Sequence, residues 1–234
     1  MSALQQIIRS DEKSAVFEAP SFASIKTEDL DQYFYKNINS TLIVRPKKCD
    51  MSDLDDLRKN VSNKYFVQIG FMAEKNDLVK SRENLTDCPL QSITPQNIES
   101  FRNLVSSTIE QYFSALWRDY IAQTTLDAFK QILADSVSVE KGRIIEFKGK
   151  PVAVIALFPH HDCLSKKVEQ IGWVWVQEDL SDTYRDFTHQ LLLRWLNGIV
   201  ACSFQAGVHL HNVRSQKFFH KIGFNPECAH FTLK

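Results

Sequence analysis

NVRSQKFFHKIGF, residues 212–224, decides the fold. Just before it, residues 207–211 (GVHLH) alternate apolar and polar side chains, as a half-buried strand does. After Asn212 the period lengthens: Val213, Phe218 and Ile222 fall on one helical face, and Gly223 stands where a helix C-terminus favours glycine. The reading is a strand, an Asn, a short helix and a Gly-Phe exit.

Working outward, the 234 residues are 44% apolar, enough for a sizeable core. The 28 Lys and Arg balance the 28 Asp and Glu, so no bulk basic field points to nucleic acid and no charge excess points to a membrane surface. No apolar run is long enough for a membrane span, and residues 1–13 lack the apolar centre of a signal peptide; a cytoplasmic protein is expected. Cys49, Cys88, Cys163, Cys202 and Cys228 are odd in number and scattered, which reads as reduced thiols.

Upstream, the pattern predicts a helix over 28–35 capped by Thr27, a strand over 41–45 ended by Pro46, a helix capped by Ser52 that buries Leu54 and Leu57, and a strand over 65–72. The polar stretch 74–91, which includes Asn84 and Pro89, marks a domain boundary, giving an N-terminal α/β extension (1–91) and a main domain (92–234). Residues 60–71 weakly repeat 212–224 (Asn-Val, a Lys-aromatic-Phe step, Ile-Gly-Phe). This reads either as a remnant second unit or as chance composition. From Thr94-Pro95 a long helix carries Ile98, Phe101, Leu104, Val105, Ile109 and Phe113. A second helix follows Thr125 with Leu126, Phe129, Ile132 and Leu133 inward. Strands over 143–147 and 152–158 flank a turn at Lys148-Gly149; a strand over 168–176, a helix over 182–197, the 202–211 strand, the opening helix and a last strand over 229–233 complete the order.

That order, joined to the 212–224 signature, resembles the GNAT N-acyltransferase superfamily over residues 92–234. The resemblance implies an α/β (α+β) fold with a mixed, mostly antiparallel central sheet flanked by helices. It implies an enzyme that moves an acyl group from acetyl-CoA or another acyl-CoA to a small-molecule or peptide amine by direct attack. The backbone of Val174, Trp175 and Val176 would hold the pantetheine arm. The turn around Thr183, Tyr184 and Arg185 would hold the diphosphate, and Asn212 and Phe219 the thioester end. Here the turn (residues 177–187) keeps Arg185 but has no glycine, and Glu178, Asp179, Asp182 and Asp186 repel phosphate, so the reading is a degenerate acyl-CoA loop or a solvated acidic helix start. Phe219 stands where family members often carry a proton-donating Tyr. Candidate bases are Glu169, His209 and above all His211, nearer the strand end. The His160-His161-Asp162-Cys163 run lacks a second spaced pair and reads as a polar loop with no metal; Cys163 and Cys202 carry no activating motif. Trp173 and Trp175 line either a pocket or the core. A homodimer stays open. The rival reading is a catalytically inactive GNAT-like binding or regulatory protein.

Overall fold

A computed structural model describes residues 6–10, 14–37, 41–82, 85, 88–116 and 123–234, with backbone alone for 6–10, 113–116 and 123–125. Asn84 and the side chains of Phe113 and Thr125, named above, lie outside the described residues. The elements are β1 (Gln6–Ser10), β2 (Ser14–Ser21), α1 (Thr27–Phe34), β3 (Thr41–Lys48), α2 (Asp53–Asn60), β4 (Tyr65–Glu74), β5 (Leu90–Ile93), α3 (Ile98–Leu116), α4 (Gln123–Ser136), β6 (Gly142–Phe147), β7 (Lys150–His161), β8 (Lys167–Val176), α5 (Asp182–Gly198), β9 (Ser203–His209), α6 (Val213–Lys221) and β10 (Asn225–Leu233). The fold is mixed α/β. Of the strand pairs with a defined register, β1–β2, β3–β10, β4–β10, β5–β6 and β6–β7 are antiparallel and only β2–β3 is parallel.

Packing divides the chain into two compact units, one of Met1–Asp77, His161–Lys167 and Gln205–Lys234, the other of Leu78–His160 and Val168–Phe204. A boundary at residue 91 is a different division, because β10 lies between β3 and β4 and so packs with the N-terminal part.

In the first unit the strand order is β1-β2-β3-β10-β4-β9. Paired residues share a face. Leu42, Phe231 and Val67 therefore stand together with Val44, Ala229 and Ile69, all buried. Leu30 and Phe34 of α1, Leu54 and Leu57 of α2 and Phe219 of α6 are buried as well, and Phe71 meets Phe219 at a ring separation of 6.3 Å. The opposite face is more polar, with His230 opposite Gln68 and Cys228 opposite Gly70.

In the second unit the order is β8-β7-β6-β5. Phe101, Val105 and Ile109 of α3 and Leu133 of α4 form one core with Val154, Ala156 and Trp173, while Leu104, Leu126, Phe129 and Trp175 pack at its edge. Trp173 Nε1 donates to the buried Thr108 hydroxyl at 3.0 Å, so core packing accounts for this tryptophan. Lys148 and Gly149, at φ 51° and 74°, close the β6–β7 hairpin with the left-handed pair that a two-residue turn demands.

Several local expectations are corrected. Thr27 does not cap α1; its hydroxyl donates to Asn60 O (2.9 Å) and accepts from Ser62 N–H (2.8 Å), tying α1 to the end of α2. β3 runs through Pro46 instead of ending there. The β10 ladder reaches only Val44, so Pro46 lies beyond it. α3 starts at Ile98 because the Asn97 side chain accepts from the N–H groups of Glu99 and Ser100, outcompeting the Thr94-Pro95 start. Ile132 is 58% exposed. Residues 65–71 are strand where 218–224 are helix and exit, so the weak repeat is one of composition. Among the described residues no helix is long and apolar enough to cross a membrane, and no cluster of three or more His, Cys, Asp or Glu could hold a metal ion.

Candidate functional site

The β9–α6 turn in the first unit is fixed from several sides. Asn212 caps α6: its Oδ1 accepts from Ser215 N–H at 3.1 Å and its Nδ2 donates to Ser215 Oγ at 2.7 Å. At the far end Gly223 takes φ 103°, and the N–H groups of Gly223 and Phe224 return to the carbonyls of His220 and Phe219, a Schellman close that needs the glycine. The buried face of the helix differs from the expected one. Val213 is 38% exposed, whereas Gln216 and Phe219 are buried. Gln216 Nε2 donates to His209 O (3.1 Å) and Leu210 O (2.7 Å), and its Oε1 accepts from Arg58 of α2 at 2.6 Å. Arg58 Nε also reaches Leu210 O at 2.9 Å, and the guanidinium pairs with Asp55. A buried polar side chain is stable when its donors and acceptor are partnered, as here. Sequence reasoning missed both residues, since a Gln on a helix carries no mark of burial.

This pin sets the two histidines. His209 rests against Phe66, ring centroids 5.0 Å apart, and its Nδ1 accepts the His211 backbone N–H at 3.3 Å, which makes Nδ1 the unprotonated nitrogen. Burial, then the neighbouring His211 and Lys234, push His209 down to about 4. His211 is exposed at the turn, and its imidazole is also lowered, by desolvation of the ring first and then by the Arg58 and Lys234 charges. Both are neutral at pH 7. A neutral imidazole can accept a proton, and His211 is the one with access.

In the second unit the β8–α5 turn follows Val176. Ser181 Oγ accepts from Tyr184 N–H at 3.4 Å, and the Tyr184 ring meets Phe147 in a tilted contact at 5.0 Å. Thr183 is exposed. Arg185 bends back to donate to Glu178 O (2.8 Å) and Leu180 O (3.2 Å), and Asp186 is paired with Arg82 at 2.9 Å. The guanidinium thus closes its own loop, an engagement that a diphosphate would have to displace. Val174, Trp175 and Val176 are half-buried on β8. Glu169, on the same strand, accepts from Lys141 Nζ at 2.6 Å and keeps its second oxygen buried without a partner. Phe219 is closed in between Phe71 and Phe224, at ring separations of 6.3 and 5.3 Å.

No protein-family model matches the sequence, and no curated protein matches it. Solved structures do resemble it. A GCN5-related N-acetyltransferase from Sphaerobacter thermophilus aligns with TM-score 0.50 at 8% identity, over 97% of this chain and 75% of that one. A functionally unknown conserved protein from Staphylococcus epidermidis aligns with TM-score 0.48 at 14% identity, over 98% and 93%. A GNAT-family acetyltransferase from Colwellia psychrerythraea aligns with TM-score 0.48 at 12% identity, over 96% and 79%. The fold is GNAT-like.

Proposed function

We propose that the chain is an N-acyltransferase that moves an acetyl or longer acyl group from acyl-CoA to a small-molecule or peptide amine. The observation that supports this best is the β9–Asn212–α6 turn, fully locked in a GNAT-like fold whose Sphaerobacter relative in structure bears the name of an N-acetyltransferase. The neutral amine attacks the thioester carbonyl, the C–N bond forms and the C–S bond breaks, and the amine proton leaves to a base. His211 is neutral and accessible and is the base of choice; Glu169, held by Lys141, is the second candidate. Phe219 has no proton to give, so the departing thiolate is protonated by solvent. The backbone of Val174, Trp175 and Val176 would hold the pantetheine arm and Thr183, Tyr184 and Arg185 the diphosphate. With Arg185 already engaged and carboxylates close by, affinity for acyl-CoA should be weak.

Calorimetry with acetyl-CoA and longer acyl-CoAs tests binding, and absence of heat at millimolar ligand overturns the proposal. Release of free CoA with an amine panel then tests transfer. The enclosure of Phe219 favours one alternative, a catalytically inactive protein that binds or regulates. CoA binding with no release from any amine would support that alternative over transfer.

A further inference from the structure

Gln216 and Arg58 hold the β9–α6 turn by its carbonyls, and the N–H inside the turn has a different holder. Residues 209–212 close as a tight turn, with the Asn212 N–H returning to His209 O at 2.9 Å. The hydrogen bond that closes a β-turn leaves the N–H of the third residue unused. Here that N–H, of His211, is accepted by His209 Nδ1 at 3.3 Å. Nδ1 is bonded to Cγ, as the Oδ1 of an asparagine is, so the contact is the histidine counterpart of an Asx turn. On the other side the His211 carbonyl accepts the Val213 N–H at 3.0 Å. Both backbone polar groups of His211 are therefore engaged, which fixes the direction in which its side chain leaves the turn.

The brace depends on which nitrogen of His209 carries the proton. With Nε2 protonated, Nδ1 has the lone pair that the His211 N–H needs. With Nδ1 protonated, in the other neutral tautomer or in the cation, two N–H groups face each other. The His209 ring rests on Phe66 of β4 at 5.0 Å and lies 5.5 Å from the His211 ring, inclined to it by 38°. The charges that act on the two rings come from Lys234, just past β10, and from Arg58 of α2, which pairs with Asp55. Lys64, whose carbonyl takes the Lys234 N–H, has its own ammonium paired with Asp31. Burial, then His211 and Lys234, oppose the imidazolium form of His209, so the brace is closed at pH 7.

We propose that His209 is a positioning residue for His211: its Nδ1 lone pair, which a neutral ring has only as the Nε2–H tautomer, holds the His211 N–H and so aims the imidazole that takes the amine proton. The role rests on the reading of His211 as the base, whereas the brace is a property of the fold alone. A proton on Nδ1 opens the brace, so acid removes the aim of His211 as well as its lone pair. Asparagine offers an acceptor at the same place on its side chain. Phenylalanine keeps a ring against Phe66 and offers none.

Nitrogen-15 NMR of the histidine-labelled full chain at pH 7 should show His209 with Nε2 protonated and Nδ1 bare; an Nδ1–H tautomer or an imidazolium there overturns the proposal. The His211 amide hydrogen should exchange about tenfold faster in His209→Phe than in the unsubstituted chain, and return to the slower rate in His209→Asn. Equal exchange in all three chains refutes the brace. With acetyl-CoA and an amine panel, His209→Phe should lower kcat about 10- to 100-fold with little change in KM, and His209→Asn should recover most of the loss. An undiminished kcat in His209→Phe, with faster exchange, removes the positioning role. If the unsubstituted chain transfers no acyl group, the acyltransferase reading and the positioning role fall together, while the tautomer and the exchange rates still decide the brace.

Discussion

Two strand-to-helix turns, one in each unit, are built by opposite means. The β9–α6 turn is fixed from below: Gln216 and Arg58, buried or nearly so, hold the carbonyls of His209 and Leu210, and Phe219 roots the helix in the core. The β8–α5 turn is fixed from its own surface, by the Ser181 cap and by Arg185 folded onto its loop carbonyls. The first cannot change shape without disturbing a core, so its residues hold positions. The second can exchange Arg185 contacts for a ligand at smaller cost, since Ser181, Asp182 and Thr183 are exposed and Arg185 is held only by carbonyls of its own loop and by Asp182. In the proposed reaction a rigid turn would suit catalytic placement and an adjustable one anion binding.

The largest break in that contrast is expected at Phe219. Phe219→Ala removes a ring packed between Phe71 and Phe224 and should cost about 3–5 kcal/mol in chemical denaturation. A loss under about 1 kcal/mol would mean that α6 is not rooted as described. Next comes Gln216→Leu, near in volume but without the amide. It removes one donor each from the carbonyls of His209 and Leu210, which keep Asn212 N–H and Arg58 Nε, and strands part of the Arg58 guanidinium, for about 1–3 kcal/mol. Pairing it with Arg58→Met separates the terms: if the two residues act as one unit, the double variant loses less than the sum of the singles.

What the sequence made legible follows from how local each cause is. The change of period at Asn212, the glycine after Ile222, the Lys148-Gly149 turn and the burial of Leu54 and Leu57 are all dictated by neighbours a few residues away, and all are present. The insertion of β10 between β3 and β4 has no local signal, because its partners lie over 150 residues upstream in the chain. Gln216 was misjudged for the same reason. Its amide is satisfied by Arg58, 158 residues away, so a polar residue took the buried position that Val213 was expected to fill. The Asn212 cap and the place of the histidines at the end of β9 were legible. The engagement of Arg185 and of Glu169 was not, since side-chain partners across loops and strands leave no periodicity.

The histidines sharpen the comparison through pH, because both imidazoles at the β9–α6 turn are lowered in the folded chain. His209 is held at about 4, below the ordinary value near 6.5, so between those values the unfolded chain binds a proton that the folded chain does not. Stability is therefore full above about pH 6.5 and falls as pH drops through the window toward 4. Between pH 7 and 5 the loss should be about 1–2 kcal/mol, with His211 adding in the same direction. The lowered carboxylates of Asp31 and Asp50 titrate below this window. Urea midpoints across pH 5–7 measure it, and His209→Phe should flatten the slope; an unchanged slope would place its source elsewhere.

The smallest effect belongs to the surface-built turn, and its smallness is the point. Ser181 contributes one long hydrogen bond, 3.4 Å, to an exposed helix start, and its replacement by Ala should cost about 0.5–1 kcal/mol. The Arg185 contacts to Glu178 O and Leu180 O remain in the variant and keep the loop closed. If the turn is adjustable, Ser181→Ala should alter acyl-CoA affinity more than it alters the denaturation midpoint, because the N–H groups at the start of α5 are then less ordered toward an anion. Calorimetry and urea unfolding on the same variant read the two quantities separately. A loss of stability as large as that of Gln216→Leu, with affinity unchanged, would show that the β8–α5 turn is as rigidly anchored as its counterpart, and the division between a fixed turn and a yielding one would fall.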